Sequence, residues 1–405
     1  MSNFAFGTYR ITDQNPQHIQ ALREAIDSGI TMIDTSSNYM DGAAERAIAL
    51  AFRNFDEDVK KSVEIVSKYG YIQGSNMELH KEKKFESVVE FSEHCFHSIS
   101  PSFMKNQLEL SLSRLEVEKI DCYLIHNPEY YMLDAMNRDA DRDEVLDVMY
   151  DRLYDAFIGL EEEVKNGRIG SYGVSSNSFS KQNIDPEFLP YEDLITLADR
   201  ASEFVGNDTH SFTTIQLPIN ILETEGLKCA SWAKSNGLRV LVNRPLNAQK
   251  DGQMFRLADY DESREYYHHL NELLDVCDND ELKPVYNLLE QLDENKHKFG
   301  WIGDFDSFLY AQILPHIKSA LENMDEENLE TMLKYIDMFF IEYRKMVSFE
   351  CSKNTRNTLK DLFLECEDSL QECSLRFLMH RENVDYILVG MRKPAYVQEI
   401  LALKA

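Results

Sequence analysis

The chain has 405 residues, 43% of them hydrophobic and 28% charged, enough for one large core and further material beyond it. Its 42 Lys and Arg stand against 71 Asp and Glu, a formal net charge of −29, which argues against a nucleic-acid binder or attraction to an anionic membrane surface. The 7 cysteines are scattered, no window approaches about 18 consecutive apolar residues, and the start MSNFAFGTYR lacks a basic-then-apolar leader; a reducing, cytoplasmic setting without membrane spans is expected.

Short apolar runs recur along the chain at residues 3–9 (NFAFGTY), 30–35 (ITMIDT), 63–68 (VEIVSK), 121–126 (DCYLIH), 171–176 (SYGVSS), 213–218 (TTIQLP), 239–244 (RVLVNR) and 385–390 (DYILVG). Amphipathic patterns separate most of them. After the first run, PQHIQALREAIDSG sets Ile19, Leu22, Ala25 and Ile26 on one helical face before Gly29 ends it. After the second, Glu45 follows a glycine-containing turn and falls at a helix start, where the helix dipole favours it. Further on, PSFMKNQLELSLSRLEV aligns Met104, Leu108, Leu112 and Leu115. Cys122 and Cys366 lie in apolar stretches and read as small core residues. Near-continuous apolar strands alternating with helices indicate a parallel sheet covered by helices. Eight such units point to an α/β fold, a closed (β/α)8 TIM barrel. An open doubly wound sheet is the alternative, but no G-x-G-x-x-G follows the first run.

The spacing breaks once, between Pro245 and the segment near Ser369. This stretch is acidic, carries helical patterns such as NLETMLKYIDMFFIEYRKMV, and has no clear strand pair. It reads as an all-helical insertion, residues 249–365, in a barrel made of residues 1–248 and 366–405. Trp301, Phe305 and Phe308 would build a small helical core inside it. Insertion after a seventh strand puts it on the catalytic face of a barrel, as a lid, a packing element or a homo-oligomer surface.

A parallel barrel gathers the carboxyl ends of its strands around one mouth. Asp34 ends the second run, with Tyr39 in the following loop; Lys68 ends the third and His126 the fourth. Singly, each has a bland reading as an ion pair or a rim residue. Together they form an acid–base device. Tyrosine is a poor acid, with a pKa of about 10, and a nearby ammonium is expected to lower it. Lys68 would do so, Asp34 would hold the lysine, and a neutral His126 would orient a carbonyl and stabilise its developing charge. No metal is called for. The adjacent His268 and His269 should point in different directions, and His94 with His97 lacks a second ligand pair.

The same residues carry a family resemblance. GTYR, GITMIDTSSNY, IVSKYG, SPSFMKNQLELSLSRLEVEKIDCYLIHNP and GSYGVSSNS follow in order the pattern of the aldo-keto reductases, from Phe6 to about Leu246 and again from near Ser369. The resemblance implies a (β/α)8 barrel, a nicotinamide cofactor bound without a Rossmann motif, and reversible carbonyl reduction of a small aldehyde, ketone or sugar, with Tyr39 as general acid assisted by Lys68, Asp34 and His126. By the same resemblance Ser175, Ser176 or Asn177, and Gln216 would bind the nicotinamide amide. Where the family often has a stacking aromatic, this chain reads Asn243-Arg244-Pro245-Leu246, so Arg244 would lie over the ring or meet phosphate. VGMRKPAYVQEIL resembles the adenosine-phosphate loop, with Gly390, Arg392 and Lys393 suited to a 2′-phosphate and hence NADP(H) over NAD(H). Tyr396 and Ile400 depart from that loop's usual Arg and Asn. The competing expectation is a non-catalytic, cofactor-binding regulatory or scaffold subunit on the same fold.

Overall fold

Eight parallel strands close into a barrel: β1 (Asn3–Gly7), β2 (Met32–Asp34), β3 (Glu64–Tyr69), β4 (Ile120–His126), β5 (Ile169–Ser175), β6 (Phe212–Pro218), β7 (Arg239–Asn243) and β8 (Tyr386–Val389). The structure, a computed structural model, describes residues 3–250, 252–322, 324–362 and 366–403. Each strand pairs with its neighbour in sequence, and β8 returns to β1 through Phe6 opposite Val389. Register places Lys68 beside Leu124, His126 beside Ser175, and Ser175 beside Gln216. Ala5, Met32, Val66, Cys122, Leu124, Leu241 and Leu388 pack together as a barrel core.

The covering helices form for local reasons. In α1 (Pro16–Asp27) the Asn15 side chain accepts from the Gln17 N–H, and Pro16 supplies a ready-made first-turn φ. Ile19, Leu22, Ala25 and Ile26 are buried as the spacing predicts, each large aliphatic contributing roughly 1.5–3 kcal/mol. Helix α2 spans Ala43–Phe52 and α3 spans Pro101–Leu115. Met104, Leu108 and Leu115 of α3 are buried, while Leu112 is half-buried.

One barrel feature has no counterpart in the sequence reading. Between β3 and α3 a three-stranded antiparallel sheet forms from Tyr71–Ile72, Val89–Ser92 and Cys95–His97, with the last strand central.

The chain divides into two compact units, Met1–Pro245 with Arg376–Ala405, and Leu246–Leu375. The second unit is not all-helical as expected. It opens on an antiparallel hairpin, Asn247–Lys250 with Gln253–Arg256. Gly252, at a φ of 76°, is a turn residue, but the flanking strands are short and polar. Helices follow, among them α4 (Tyr266–Cys277) and the 33-residue α5 (Glu326–Thr358), which Asp325 caps by accepting from the Asn328 N–H. Their core includes Leu270, Leu289, Phe305, Phe339 and Tyr343, with Trp301 and Phe308 packed against it. Tyr343 donates its hydroxyl to the Leu292 carbonyl at 2.8 Å. Cys366 is not the free core residue expected: it forms a disulfide with Cys373. No helix among the described residues is long and apolar enough to cross a membrane.

Candidate active site

Because β2, β3 and β4 run parallel, their last residues meet. Asp34 closes β2, and Lys68, fully buried on β3, points its ammonium at it: Nζ lies 2.7 Å from Asp34 Oδ1 and 2.7 Å from the Thr35 carbonyl. The same Nζ is 3.3 Å from the Tyr39 hydroxyl. Tyr39 sits where the chain turns sharply, with Met40, Asp41 and Gly42 all at positive φ (51°, 53° and 77°). His126 ends β4, its ring 5.9 Å from that of Tyr39 and nearly perpendicular at 78°. The four residues named from sequence therefore converge.

Burial dominates their electrostatics. It pushes the Asp34 carboxyl up, against the opposing pull of Lys68 and Gln216, and pushes the Lys68 ammonium down against the pull of Asp34. Burial, then Asp34 and Tyr9, hold the Tyr39 phenol well above its usual value. This corrects the expectation that Lys68 lowers it. The ammonium is held more closely by Asp34 and the Thr35 carbonyl than by the phenol, so its charge is largely neutralised before it reaches the oxygen. Tyr39 therefore keeps its proton in this setting. His126 is held well below its usual value by burial, then by Lys68 and His97, and is a neutral imidazole. Its Nδ1 lies 3.1 Å from Ser36 Oγ.

The residues expected to meet a cofactor fall into three places. Ser175 Oγ donates to Gln216 Oε1 at 2.9 Å, and Gln216 Nε2 donates to Asp34 Oδ2 at 2.7 Å, so both ends of that amide already have partners. Ser176 Oγ donates to Glu129 Oε2 at 2.8 Å, and the Asn177 N–H to Glu129 Oε1 at 2.9 Å. Asn177 itself is half-buried. At the end of β7, Arg244 is at φ 50° and gives Nη2 to Glu223 Oε1 at 2.8 Å. Leu246 is buried and begins the second unit. Gly390, Arg392 and Lys393 are exposed after β8, and Lys393 caps α6 (Pro394–Ala402).

These groups fit a nicotinamide dinucleotide. Asn243 Oδ1 and Arg244 Nε are buried polar atoms without a hydrogen-bond partner among the described residues, and an unmet pair of this kind suits a polar ligand. Two cationic side chains at the start of a helix suit phosphate.

Three placements went unseen in the sequence. Glu45 does lie in the first turn of α2, but fully buried: it accepts from Ser67 Oγ at 2.8 Å and Arg114 Nη1 at 3.3 Å, and burial pushes its carboxyl up. Arg114 also reaches the Ser37 carbonyl at 3.3 Å, bracing the Tyr39 turn. His97, on the unpredicted sheet, lies with Nε2 2.8 Å from the His126 carbonyl. A carbonyl only accepts, so Nε2 carries the proton. Glu129, buried three positions after His126, had only the HNPE run to mark it. In the second unit His268 and His269 do not diverge as expected: Nε2 of the first and Nδ1 of the second lie 3.4 Å and 3.3 Å from Glu272 Oε2.

The mouth of a closed (β/α)8 barrel thus brings together an Asp, a Tyr, a Lys and a His. The model of the Aldo/keto reductase family matches residues 3–186, somewhat less than half of the chain. Aldo-keto reductase YhdN of Bacillus subtilis is 24% identical over 249 residues, covering 60% of this chain and 57% of the relative, so the chain spans little more than half of that protein's length. Among solved structures, an aldo/keto reductase from Klebsiella pneumoniae in complex with NADP and acetate is 23% identical, with a TM-score of 0.37, over 60% of this chain and 64% of its own. A glycerol dehydrogenase from Gluconobacter oxydans is 17% identical with a TM-score of 0.49, over 99% of this chain and 86% of its own.

Proposed function

We propose that the protein is an NADP(H)-dependent oxidoreductase interconverting a carbonyl compound (an aldehyde, ketone or sugar) and its alcohol. The observation that carries this reading is the Lys68 ammonium shared between Asp34 and the Tyr39 hydroxyl. The bound nicotinamide would supply hydride to the carbonyl carbon, or accept it in reverse.

The chain's own residues handle the proton and the charge. Tyr39, protonated by its surroundings, gives its hydroxyl proton to the carbonyl oxygen. The tyrosinate so formed faces Lys68, which stabilises it in the alcohol-oxidising direction. Asp34 keeps Lys68 charged and in place. Neutral His126 orients the substrate oxygen at the mouth, its ring fixed by Nδ1 3.1 Å from Ser36 Oγ, whose own proton goes to Asn38 Oδ1 at 2.7 Å. The Asn177 amide can pair with the carboxamide of the cofactor. Arg392 and Lys393 favour an extra phosphate, and the Klebsiella relative was solved with NADP.

Fluorescence titration with NADPH, followed by turnover over a carbonyl panel for wild type and Tyr39→Phe, tests this. Saturable binding and a loss of about 10²- to 10⁴-fold in turnover on removing the hydroxyl are expected. Equal turnover in both proteins would sink the proton donor. Binding without turnover on any carbonyl would favour a regulatory subunit, a reading suggested by Arg244 standing in place of the stacking aromatic.

A further inference from the structure

Glu129 is a fully enclosed carboxylate that the mechanism above does not use. It lies 3% exposed at the start of the short helix Tyr130–Met136, and it has no ion pair among the described residues. Its two oxygens are committed to one neighbour segment: Oε2 accepts from Ser176 Oγ at 2.8 Å, Oε1 from the Asn177 N–H at 2.9 Å. The Ser178 N–H then donates back to Ser176 Oγ at 3.1 Å. One step closer to the barrel, the Asn127 N–H donates to the Ser175 carbonyl at 2.7 Å. The loop leaving β4 with His126 and the loop leaving β5 with Ser175–Asn177 are thereby laced together. Glu129 supplies the outer half of the lacing. A buried carboxylate without a cation is costly, and packing alone gives no reason to keep one here.

We propose that Glu129 is a positioning residue: it fixes the Ser176–Asn177 segment for the carboxamide end of the nicotinamide cofactor and ties that segment to the loop carrying His126. This rests on the cofactor reading above. Burial pushes the Glu129 carboxyl up to about 7, against hydrogen bonds from Ser176 and from the Asn177 and Ser178 backbone. The titratable groups facing it are the Tyr71 phenol, from the small sheet, and the Tyr130 phenol of its own helix. Both stay protonated near neutrality, so neither supplies a competing charge. Ionised, Glu129 accepts from both donors; protonated, it turns one oxygen into a donor and loses one of them. Cofactor affinity should therefore weaken as pH falls through neutrality.

The test measures the NADPH dissociation constant by fluorescence at pH 6, 7 and 8 for wild type, Glu129→Gln and Glu129→Ala, with thermal melts alongside. Glutamine keeps the shape but cannot ionise, so it presents the same donor and acceptor to the two neighbours at every pH. Wild type should weaken several-fold more than Glu129→Gln between pH 8 and pH 6; titration of the cofactor's own phosphate cancels in that comparison. Glu129→Ala should bind about tenfold more weakly throughout. A Glu129→Gln profile parallel to wild type overturns the proposal even if Glu129→Ala fails to fold. Absence of NADPH binding by wild type overturns this proposal and the cofactor reading together, whereas wild-type binding with parallel profiles overturns this one alone.

Discussion

Gln216 Nε2 and Lys68 Nζ each stand 2.7 Å from one oxygen of Asp34, on Oδ2 and Oδ1 respectively. The glutamine comes from a strand 182 residues away in sequence, and the Ser175 hydroxyl on its Oε1 sets which end of the amide faces the carboxylate. Asp34 therefore has a hydrogen-bond donor on each oxygen inside a dry barrel, which stabilises its ionised form against the burial that opposes it. Gln216→Leu should cost about 1–3 kcal/mol by leaving Oδ2 and the Ser175 hydroxyl unmet. Gln216→Glu puts a second carboxyl beside Asp34, and like charges at that distance do not both ionise. Its melting temperature should fall further below wild type at pH 8 than at pH 5. A deficit that does not change with pH would remove the argument.

Lys68 and Asp34 form a buried pair in which the partners' mutual attraction offsets the desolvation of both. Lys68→Met strands the carboxylate, and a loss of about 3–5 kcal/mol in denaturant unfolding is expected. The double variant Asp34→Asn/Lys68→Met removes both charges and should recover most of that stability while remaining inactive in turnover. Recovery of turnover along with stability would mean that the ammonium has no part in the chemistry.

Gly42 is where geometry leaves no room. Its φ of 77° is left-handed, and an added Cβ would lie 2.6 Å from the Arg114 guanidinium carbon. That guanidinium joins Glu45 to the Ser37 carbonyl and so braces the turn carrying Tyr39. Gly29 is the natural control: its φ is 86°, but nothing lies within 4 Å of the Cβ position. Gly29→Ala should cost about 1–2 kcal/mol from backbone strain alone. Gly42→Ala should cost more in denaturant unfolding and should reduce kcat by a larger factor than it weakens NADPH binding, because the displaced arginine supports Tyr39 and not the cofactor loops.

The parts of this molecule that sequence could reach are those set by pattern. A run such as Ile120–His126 is almost continuously buried, as strands covered on both faces must be, and eight of them with helices between imply the closed barrel. Once the barrel is granted, strand ends converge, and Asp34, Lys68 and His126 follow. The small sheet at Tyr71–His97 escaped because Glu90, Phe91 and Ser92 are exposed, with no alternation to betray a strand. The hairpin beginning at Asn247 escaped for the same reason. Tyr39 lies beside Lys68, but its acidity is not legible in spacing, because depth of burial is a property of the folded loops. His97 acts through the contact of the small sheet with the end of β4, and Glu129 through one made only when the β4 and β5 loops fold together.

Glu129 also leaves a mark on stability that is independent of any ligand. An unfolded glutamate loses its proton near pH 4.5, while burial holds the folded carboxyl up to about 7. Between those values the unfolded chain has released a proton that the folded chain still binds. Stability contributed by this group is therefore fully present below the unfolded value, falls as pH rises through the window, and levels off above the folded value. The span corresponds to on the order of 1–3 kcal/mol. Other carboxylates titrate in the same range, so the informative quantity is the difference between wild type and Glu129→Gln, which cannot ionise. From pH 5 to pH 8 wild type should lose stability relative to the variant in urea unfolding. A constant difference would mean that Glu129 ionises alike in both states, and that its hydrogen bonds from Ser176 and Asn177 fully offset its burial.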